Sequence, residues 1–159
     1  MNTVPEQAGE AAQRLIQFIR DEIPLARAMD LQLRHHDADM LSLWAPLAPN
    51  VNDKGCAFGG SLVSLLTLAG WGLIELGLRA EGLECDIYVG DSQVRYQQPV
   101  WGELRGVARF AEGGAMAPLA ASLRARGKGR VDVVCEIAGE AGTAATLTAR
   151  FFAKLRKPA

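Results

Sequence analysis

An uncharged stretch, residues 55–74, contains the pair Gly59-Gly60 near its start. If a helix begins at this pair, its first backbone N–H groups have no partner within the helix and lie at the positive end of its dipole. Because glycine has no side chain to obstruct a ligand, such N–H groups can hold a carbonyl oxygen that gains negative charge. The pattern predicts an oxyanion hole formed by the N–H groups of Gly60 and Ser61. The alternative is that the glycines only let a helix pack closely on a sheet.

The side chains nearest this pair are poor acid–base catalysts. Phe58 directly precedes it and Thr67 stands two turns into the run, and neither can take a proton from water near neutral pH. Asn50 and Asn52 lie just upstream, and an amide donates hydrogen bonds but is not a useful base. We predict Asn52 as the main donor to an oxyanion and Asn50 as its support or competitor. Alternatively, both asparagines only cap turns in a proline-rich loop.

Other polar residues offer weaker chemistry. Asp53 could activate water, although a solvated loop charge or a turn cap is its more ordinary role. Cys56 has no histidine near it in sequence and is predicted to be a small buried thiol. His35 and His36 are neighbours on a predicted strand, so they face opposite sides and are interpreted as structural. Glu75, the first charged residue of the run, is expected to lie too deep to serve as a base.

Basic residues mark two further candidate sites. Arg95, next to Tyr96 near the end of a predicted strand, could contact a phosphate or a substrate carboxylate, or be exposed decoration. Residues 124–130 hold four basic side chains, among them Lys128 and Arg130. This cluster could bind a phosphate or an acidic partner surface, and a solvated turn is the plainer alternative.

Length and composition describe a small globular protein. The chain has 159 residues and a net charge of −1, and we expect one domain over 1–159. It has no basic stripe with interleaved aromatic residues, so no nucleic-acid partner is expected. Its three cysteines are widely spaced with no CxxC motif, which argues against a disulfide framework or a metal site and favours a cytoplasmic location. The first residues lack the order of charged and apolar segments that is typical of a signal peptide.

The apolar run is long enough to be tested as a membrane span. It contains several glycine, serine and threonine residues, and the charges on both sides of it show no positive bias. We therefore expect no membrane association and interpret the run as a buried helix.

Periodicity predicts an α+β protein. Helical spacing indicates an N-terminal helix over 1–22, a short helix at 23–29, a central helix over 60–79 and another short helix at 115–127. A hairpin is expected over 31–47, and further strands at 84–96, 103–110, 130–139 and 143–155. Since the central helix is apolar on nearly all sides, an antiparallel sheet of about five to six strands must wrap around it.

The motif F-G-G-S-L at residues 58–62, the apolar helix after it and V-R-Y-Q-Q-P-V-W-G-E-L at 94–104 resemble the hotdog-fold thioester enzymes. The narrower resemblance, over roughly residues 23–155, is to the thioesterase family named for the C-terminal domain of YiiD. The residues that carry it are Asn50, Asn52, Gly55, Phe58, Gly59, Gly60, Ser61, Leu68, Gly70, Trp71, Asp91, Ser92, Arg95, Tyr96, Pro99, Gly127 and Lys128.

This resemblance implies a homodimer or higher homo-oligomer, joined edge to edge with the active site at the interface. The substrate would be an acyl group on the phosphopantetheine of CoA or acyl carrier protein, and no cofactor is expected. Phe58, Gly59 and Thr67 would contact the substrate. Arg95 and Tyr96 would line the pantetheine channel.

Many hotdog thioesterases carry a histidine before the glycine pair and a carboxylate about two turns into the helix. Phe58 and Thr67 stand at these positions here, so the usual hydrolytic base is missing. Some relatives resemble malonyl-acyl-carrier-protein decarboxylases, whose reaction needs stabilisation of an enolate rather than a base. We therefore predict a malonyl-thioester decarboxylase of fatty acid metabolism. The alternatives are an acyl-CoA or acyl-carrier thioesterase that uses Asp53 or a partner-chain residue, and a non-catalytic acyl-carrier-binding module.

Overall fold

Two helices open the chain in the computed structural model, which describes residues 4–158 and side chains from residue 9 onward. They are α1 (Val4–Glu22) and α2 (Pro24–Ala28). The first three residues of the helix predicted over 1–22 lie outside the described residues. Leu15 and Ile19 of α1 are fully buried, as their helical spacing predicted.

A single sheet of six antiparallel strands follows, in the spatial order β1-β2-β4-β5-β6-β3. Along β4, β5 and most of β6 buried and exposed side chains alternate, so one face of the sheet is buried. The predicted α+β class and strand number are confirmed. The strands are β1 (Gln32–His36), β2 (Met40–Ala45), β3 (Cys85–Tyr96), β4 (Leu104–Phe110), β5 (Lys128–Gly139) and β6 (Gly142–Leu155).

The central helix α3 (Gly59–Ala80) lies against the buried face of the sheet. It extends one residue beyond the predicted 60–79 at each end. By length and composition alone α3 could cross a membrane, but 61% of its most apolar 18-residue segment is buried inside the protein. The packing is close: a Cβ on Gly70 would lie 3.1 Å from Val133 and 3.2 Å from Phe151. The absence of a side chain at Gly70 therefore allows the helix to approach the sheet closely.

Strand β3 forms one edge of the sheet and connects the two ends of α3. Its last residue, Tyr96, contacts Gly59 at the start of α3, whereas its first residue, Cys85, follows closely after the end of α3. A bulge between Val89 and Asp91 interrupts its pairing with β6. The six residues 88–93 are exposed along this edge.

Helix α4 (Met116–Arg126) links β4 to β5 and packs mainly on β5. It ends at Gly127, whose φ of 72° lies in the left-handed region that favours glycine. Gly127 is thus a C-terminal cap, as the sequence predicted for the end of this helix. All three cysteines are free and buried, and burial raises the pKa of Cys135 to about 12.

The neighbours Phe151 and Phe152 provide a matched test of the core. Phe151 is 1% exposed and packs near Gly70, whereas Phe152 is 44% exposed on the other face of β6. We expect Phe151→Ala to lower the free energy of unfolding by about 3–5 kcal/mol because it leaves a core cavity. Phe152→Ala should cost less than about 1 kcal/mol. Urea unfolding of both variants checks this, and equal losses would contradict the assignment of faces.

Candidate active site at the start of the central helix

The first turn of α3 leaves two backbone donors free. Phe58 precedes the helix, and its carbonyl accepts from Ser61 N–H at 2.9 Å and from Leu62 N–H at 3.2 Å. No side chain caps this end. The N–H groups of Gly59 and Gly60 make no hydrogen bond within residues 4–158. Of the two predicted donors, Gly60 and Ser61, the N–H of Ser61 is occupied by the tight first turn, whereas that of Gly60 is free.

Asn52 organises the loop before the helix. Its Oδ1 accepts from Lys54 N–H at 2.8 Å and Cys56 N–H at 3.3 Å. Its backbone N–H donates to the Cys56 carbonyl at 2.8 Å, and Gly55 takes a φ of 89°, which favours glycine. The Asn52 amide nitrogen contacts only the buried Cys56 Sγ, at 3.3 Å. Asn52 thus holds the turn, as the alternative interpretation expected, and it retains an amide hydrogen that could reach a ligand.

Asn50 ties this loop to the body of the protein. It is 2% exposed, and its amide nitrogen donates to the carbonyls of Met29 at 2.9 Å and Pro46 at 2.8 Å. The backbone carbonyl of Asn50 accepts a hydrogen bond from Phe58 N–H at 2.7 Å. Both amide hydrogens are therefore used within the protein. Asn50 therefore positions the helix start, and it has no amide hydrogen left with which to compete with Asn52 as a donor.

Three exposed aromatic rings lie at the helix start and along the loop before it: Phe58, Tyr96 and Trp101. A side chain on Gly60 would collide with the ring of Phe58, and a Cβ on Gly59 would lie 3.4 Å from the ring of Tyr96. The Tyr96 hydroxyl donates to the Gly59 carbonyl at 3.4 Å. The glycine pair thus lies between two aromatic surfaces.

Trp101 is a site residue that sequence reasoning missed. Its ring lies 4.0 Å from the position that a Cβ would take on Gly55. The loop that carries it is fixed by a hydrogen bond of 2.8 Å from Ala57 N–H to the Val100 carbonyl. A tryptophan in a short loop after a strand was the available signal, because large exposed aromatic residues often mark binding surfaces.

The hydroxyl groups farther along α3 are committed to their own helix. Thr67 Oγ1 donates to the Val63 carbonyl at 2.8 Å, and Ser64 Oγ donates to the Gly60 carbonyl at 2.7 Å. These residues belong to a half-buried stripe that follows the helical repeat, whereas eleven of the 22 residues of α3 are buried. The stripe consists of Gly60, Val63, Ser64, Thr67, Leu68 and Trp71.

The remaining predicted residues do not contact the glycine pair or the three aromatic rings. Asp53 is exposed and pairs with Lys54 at 3.0 Å, as a solvated loop charge would. Arg95 is opposite Thr146 on β6 and points to the other face of the strand from Tyr96, since neighbours on a strand alternate. This separates a pair that was expected to act together.

Lys128 and Arg130 lie at the far end of the sheet. Lys128 is opposite Lys154 on β6, which is opposite Asp86 near the first residue of β3. Tyr96, at the other end of β3, marks the helix start. At the opposite edge of the sheet, His35 pairs with Asp37 at 2.9 Å, and this hydrogen bond lowers the pKa of the Asp37 carboxyl.

A six-stranded antiparallel sheet around one long helix is the architecture of the hotdog thioesterases. The chain belongs to the family described as "Putative thioesterase (yiiD_Cterm)", whose model matches residues 12–155. The family resemblance found in the sequence is thus confirmed.

Solved structures agree with this assignment. A protein of unknown function from Chlorobaculum tepidum is 28% identical, with a TM-score of 0.88 over 96% of this chain and 97% of that one. A protein of Shewanella oneidensis called a "putative thioesterase" is 26% identical, with a TM-score of 0.82 over 93% and 99% of the two chains. A thioesterase of Haemophilus influenzae shares the fold at 14% identity, with a TM-score of 0.65 over 89% and 88%.

The two asparagines should differ in their effect on stability. Asn50→Ala leaves the buried carbonyls of Met29 and Pro46 without donors, at about 1–3 kcal/mol for each unpaired group. Asn52→Ala removes only bonds in a partly exposed turn and should cost about 1 kcal/mol. Urea unfolding measures both, and an Asn50→Ala variant as stable as Asn52→Ala would contradict the positioning role.

Proposed function

We propose that the protein processes acyl thioesters at the start of α3, by decarboxylating a malonyl group carried on acyl carrier protein or CoA. The observation that carries this proposal is the pair of free N–H groups of Gly59 and Gly60, which lie beside the exposed rings of Phe58 and Tyr96. The side chains that form the site are Asn50, Asn52, Phe58, Tyr96 and Trp101. None of them is a carboxylate or an imidazole, the groups that a hydrolytic site needs to activate water.

Decarboxylation suits this set of groups. The bond between the malonyl carboxylate and its neighbouring carbon breaks, CO2 leaves, and the electron pair moves into the thioester to form an enolate. The N–H groups of Gly59 and Gly60 would hold the enolate oxygen, where the dipole of α3 favours negative charge. The rings of Phe58 and Tyr96 would keep water from the carboxylate before it leaves. The enolate then takes a proton from solvent and becomes an acetyl thioester.

Asn52 is our choice for a third donor to the enolate. Its Oδ1 is held by the turn, so its amide nitrogen has a defined direction, and its contact with Cys56 Sγ is a weak hydrogen bond. Replacing that contact by a bond to an oxyanion would gain energy, because bonds to charged acceptors are stronger. Asn50 would act indirectly, by fixing the loop.

Hydrolysis is the second candidate, supported by the description of the family and by the Shewanella relative. Asp53 is the carboxylate that the loop before α3 offers, although it is exposed and paired with Lys54. A base from a second copy of the chain is the other possibility for this reaction.

A homodimer is part of the proposal. Residues 88–93 of β3 leave an exposed strand edge, and unpaired edges of this length readily pair with another strand. The half-buried stripe on α3 also leaves Val63, Leu68 and Trp71 partly in water. Pairing of two copies along β3 would extend the sheet and cover this stripe.

The products distinguish the candidate functions. We expect malonyl-acyl carrier protein or malonyl-CoA to yield an acetyl thioester without free thiol, as followed by mass spectrometry and a thiol reagent. Free thiol from malonyl or acyl substrates would support hydrolysis instead. Binding of the acyl carrier without any product would leave a non-catalytic module.

Gly59 offers a matched pair of variants for the same assay. Proline suits the first position of a helix and removes the N–H, and the extended backbone of Phe58 can precede it. Gly59→Pro should therefore lower kcat by about 100- to 1000-fold, the usual cost of one oxyanion donor. Gly59→Ala keeps the N–H and should retain most activity. Equal rates for the two variants would rule out the Gly59 N–H as a donor.

A further inference from the structure

Asp30, just after the end of α2, has an unusual backbone conformation. Among the described residues it is the single non-glycine residue with a positive φ, which is 56°. Aspartate enters this left-handed region more readily than most residues, yet at a cost that glycine does not have. Such a conformation persists where the surrounding structure requires that particular side chain. The carboxylate of Asp30 is the part that a glycine could not supply.

The backbone around Asp30 forms a Schellman motif that ends α2. Leu31 N–H donates to the Ala26 carbonyl at 3.2 Å, and Asp30 N–H donates to the Arg27 carbonyl at 3.0 Å. A glycine would form the same two bonds without strain. Met29 is the C-cap of α2, so its carbonyl needs a donor from outside the helix.

Arg20, in the last turn of α1, holds this motif from outside. Its Nη1 donates to Asp30 Oδ1 at 2.9 Å and to the Leu31 carbonyl at 3.1 Å. The two acceptors belong to consecutive residues, so the guanidinium fixes the backbone between them. The Arg20 and Asp30 side chains are 30% and 42% exposed, and an ion pair with this exposure adds little to stability. Stability alone would therefore be served as well by a glycine at position 30.

The carbonyl next to this ion pair is one that anchors Asn50. The Met29 carbonyl accepts from Asn50 Nδ2 at 2.9 Å, and the Pro46 carbonyl accepts from the same nitrogen at 2.8 Å. Asn50 Oδ1 is buried and makes no hydrogen bond within the described residues. The two carbonyls thus provide the hydrogen bonds that orient this amide. If the Met29 carbonyl moved, Pro46 alone would hold it.

Asn50 transmits this constraint to the helix start. Its backbone carbonyl accepts from Phe58 N–H at 2.7 Å, and the Phe58 carbonyl closes the first turn of α3. The free N–H groups of Gly59 and Gly60 lie within that turn, so their direction depends on where Phe58 is held. Hydrogen bonds and the peptide links between neighbouring residues therefore connect Arg20 to the two free donors.

We propose that Arg20 and Asp30 are positioning residues for the reaction at the start of α3. The inference rests on the proposed thioester function and extends its machinery to α1 and to the end of α2. A displacement of about 1 Å at a reacting group can lower a rate about 100-fold, although it hardly affects folding. The ion pair thus acts on the rate more than on stability, which accounts for an aspartate where glycine would suit the backbone better.

Two substitutions at position 30 separate the carboxylate from the backbone. Asp30→Gly relieves the strain and removes the acceptor for Arg20, whereas Asp30→Asn keeps an oxygen acceptor and tolerates the same φ. With the malonyl thioester, Asp30→Gly should lower kcat about tenfold at unchanged KM, and Asp30→Asn should keep about half of the wild-type kcat or more. Asp30→Gly should unfold at a urea concentration no lower than Asp30→Asn. Equal kcat values, or a kcat loss that accompanies a lower urea midpoint, overturn the proposal.

Arg20 provides the second half of a double-mutant cycle. Arg20→Ala should reproduce the kcat loss of Asp30→Gly, and the double variant should lose no more than either single one, because both changes break the same contact. Arg14→Ala breaks an exposed ion pair with Glu10 on the same helix and is the control with unchanged kcat. Losses that multiply in the double variant would mean that the two residues act independently, which contradicts the proposal.

Amide NMR tests the connection without any substrate. Asp30→Gly should shift the amide signals of Gly59 and Gly60 and speed hydrogen exchange at Phe58 N–H, whereas Asp30→Asn should do neither. The amide of Gly77, near the other end of α3, is the internal control. Unchanged signals of Gly59 and Gly60 in Asp30→Gly overturn the proposal, whatever the protein turns over. Shifted signals in a protein that turns over none of the thioesters would refute only the proposed function.

Discussion

Burial of α3 is the constraint on which the rest of this structure depends. Eleven of its residues are buried, and its apolar side chains point in nearly every direction, so no flat sheet could cover it. Six antiparallel strands wrap around it, and small residues such as Gly70 let the backbones come close. Strand β3 connects the two ends of α3, so the start and the end of the helix lie at opposite ends of the sheet.

The first of these ends is kept open by its surroundings. Asn50 uses both amide hydrogens to fix the loop before the helix, and Phe58 closes the first turn through its carbonyl rather than a side chain. The N–H groups of Gly59 and Gly60 remain available as a result. A polar cap at position 58 would have satisfied these donors, so the aromatic residue there leaves them free.

Basic side chains are concentrated at the end of the sheet that lies farther from the helix start. Lys128 and Lys154 oppose each other across two strands while nearby carboxylates are engaged elsewhere, which is an unfavourable arrangement for an empty surface. Strand β3 joins both ends and presents a free edge between them.

Sequence periodicity by itself determined the elements, because a helix apolar on all sides and strands that alternate leave few arrangements that bury them. The sequence also showed that no histidine precedes the glycine pair and that no carboxylate stands two turns into the helix, since Phe58 and Thr67 occupy these positions. The tertiary structure decided which groups are free. Only packing shows that both amide hydrogens of Asn50 are bonded to the carbonyls of Met29 and Pro46. Only the strand register places Lys128 opposite Lys154. Hydrogen bonds and register join residues distant in the chain, so local patterns cannot specify them.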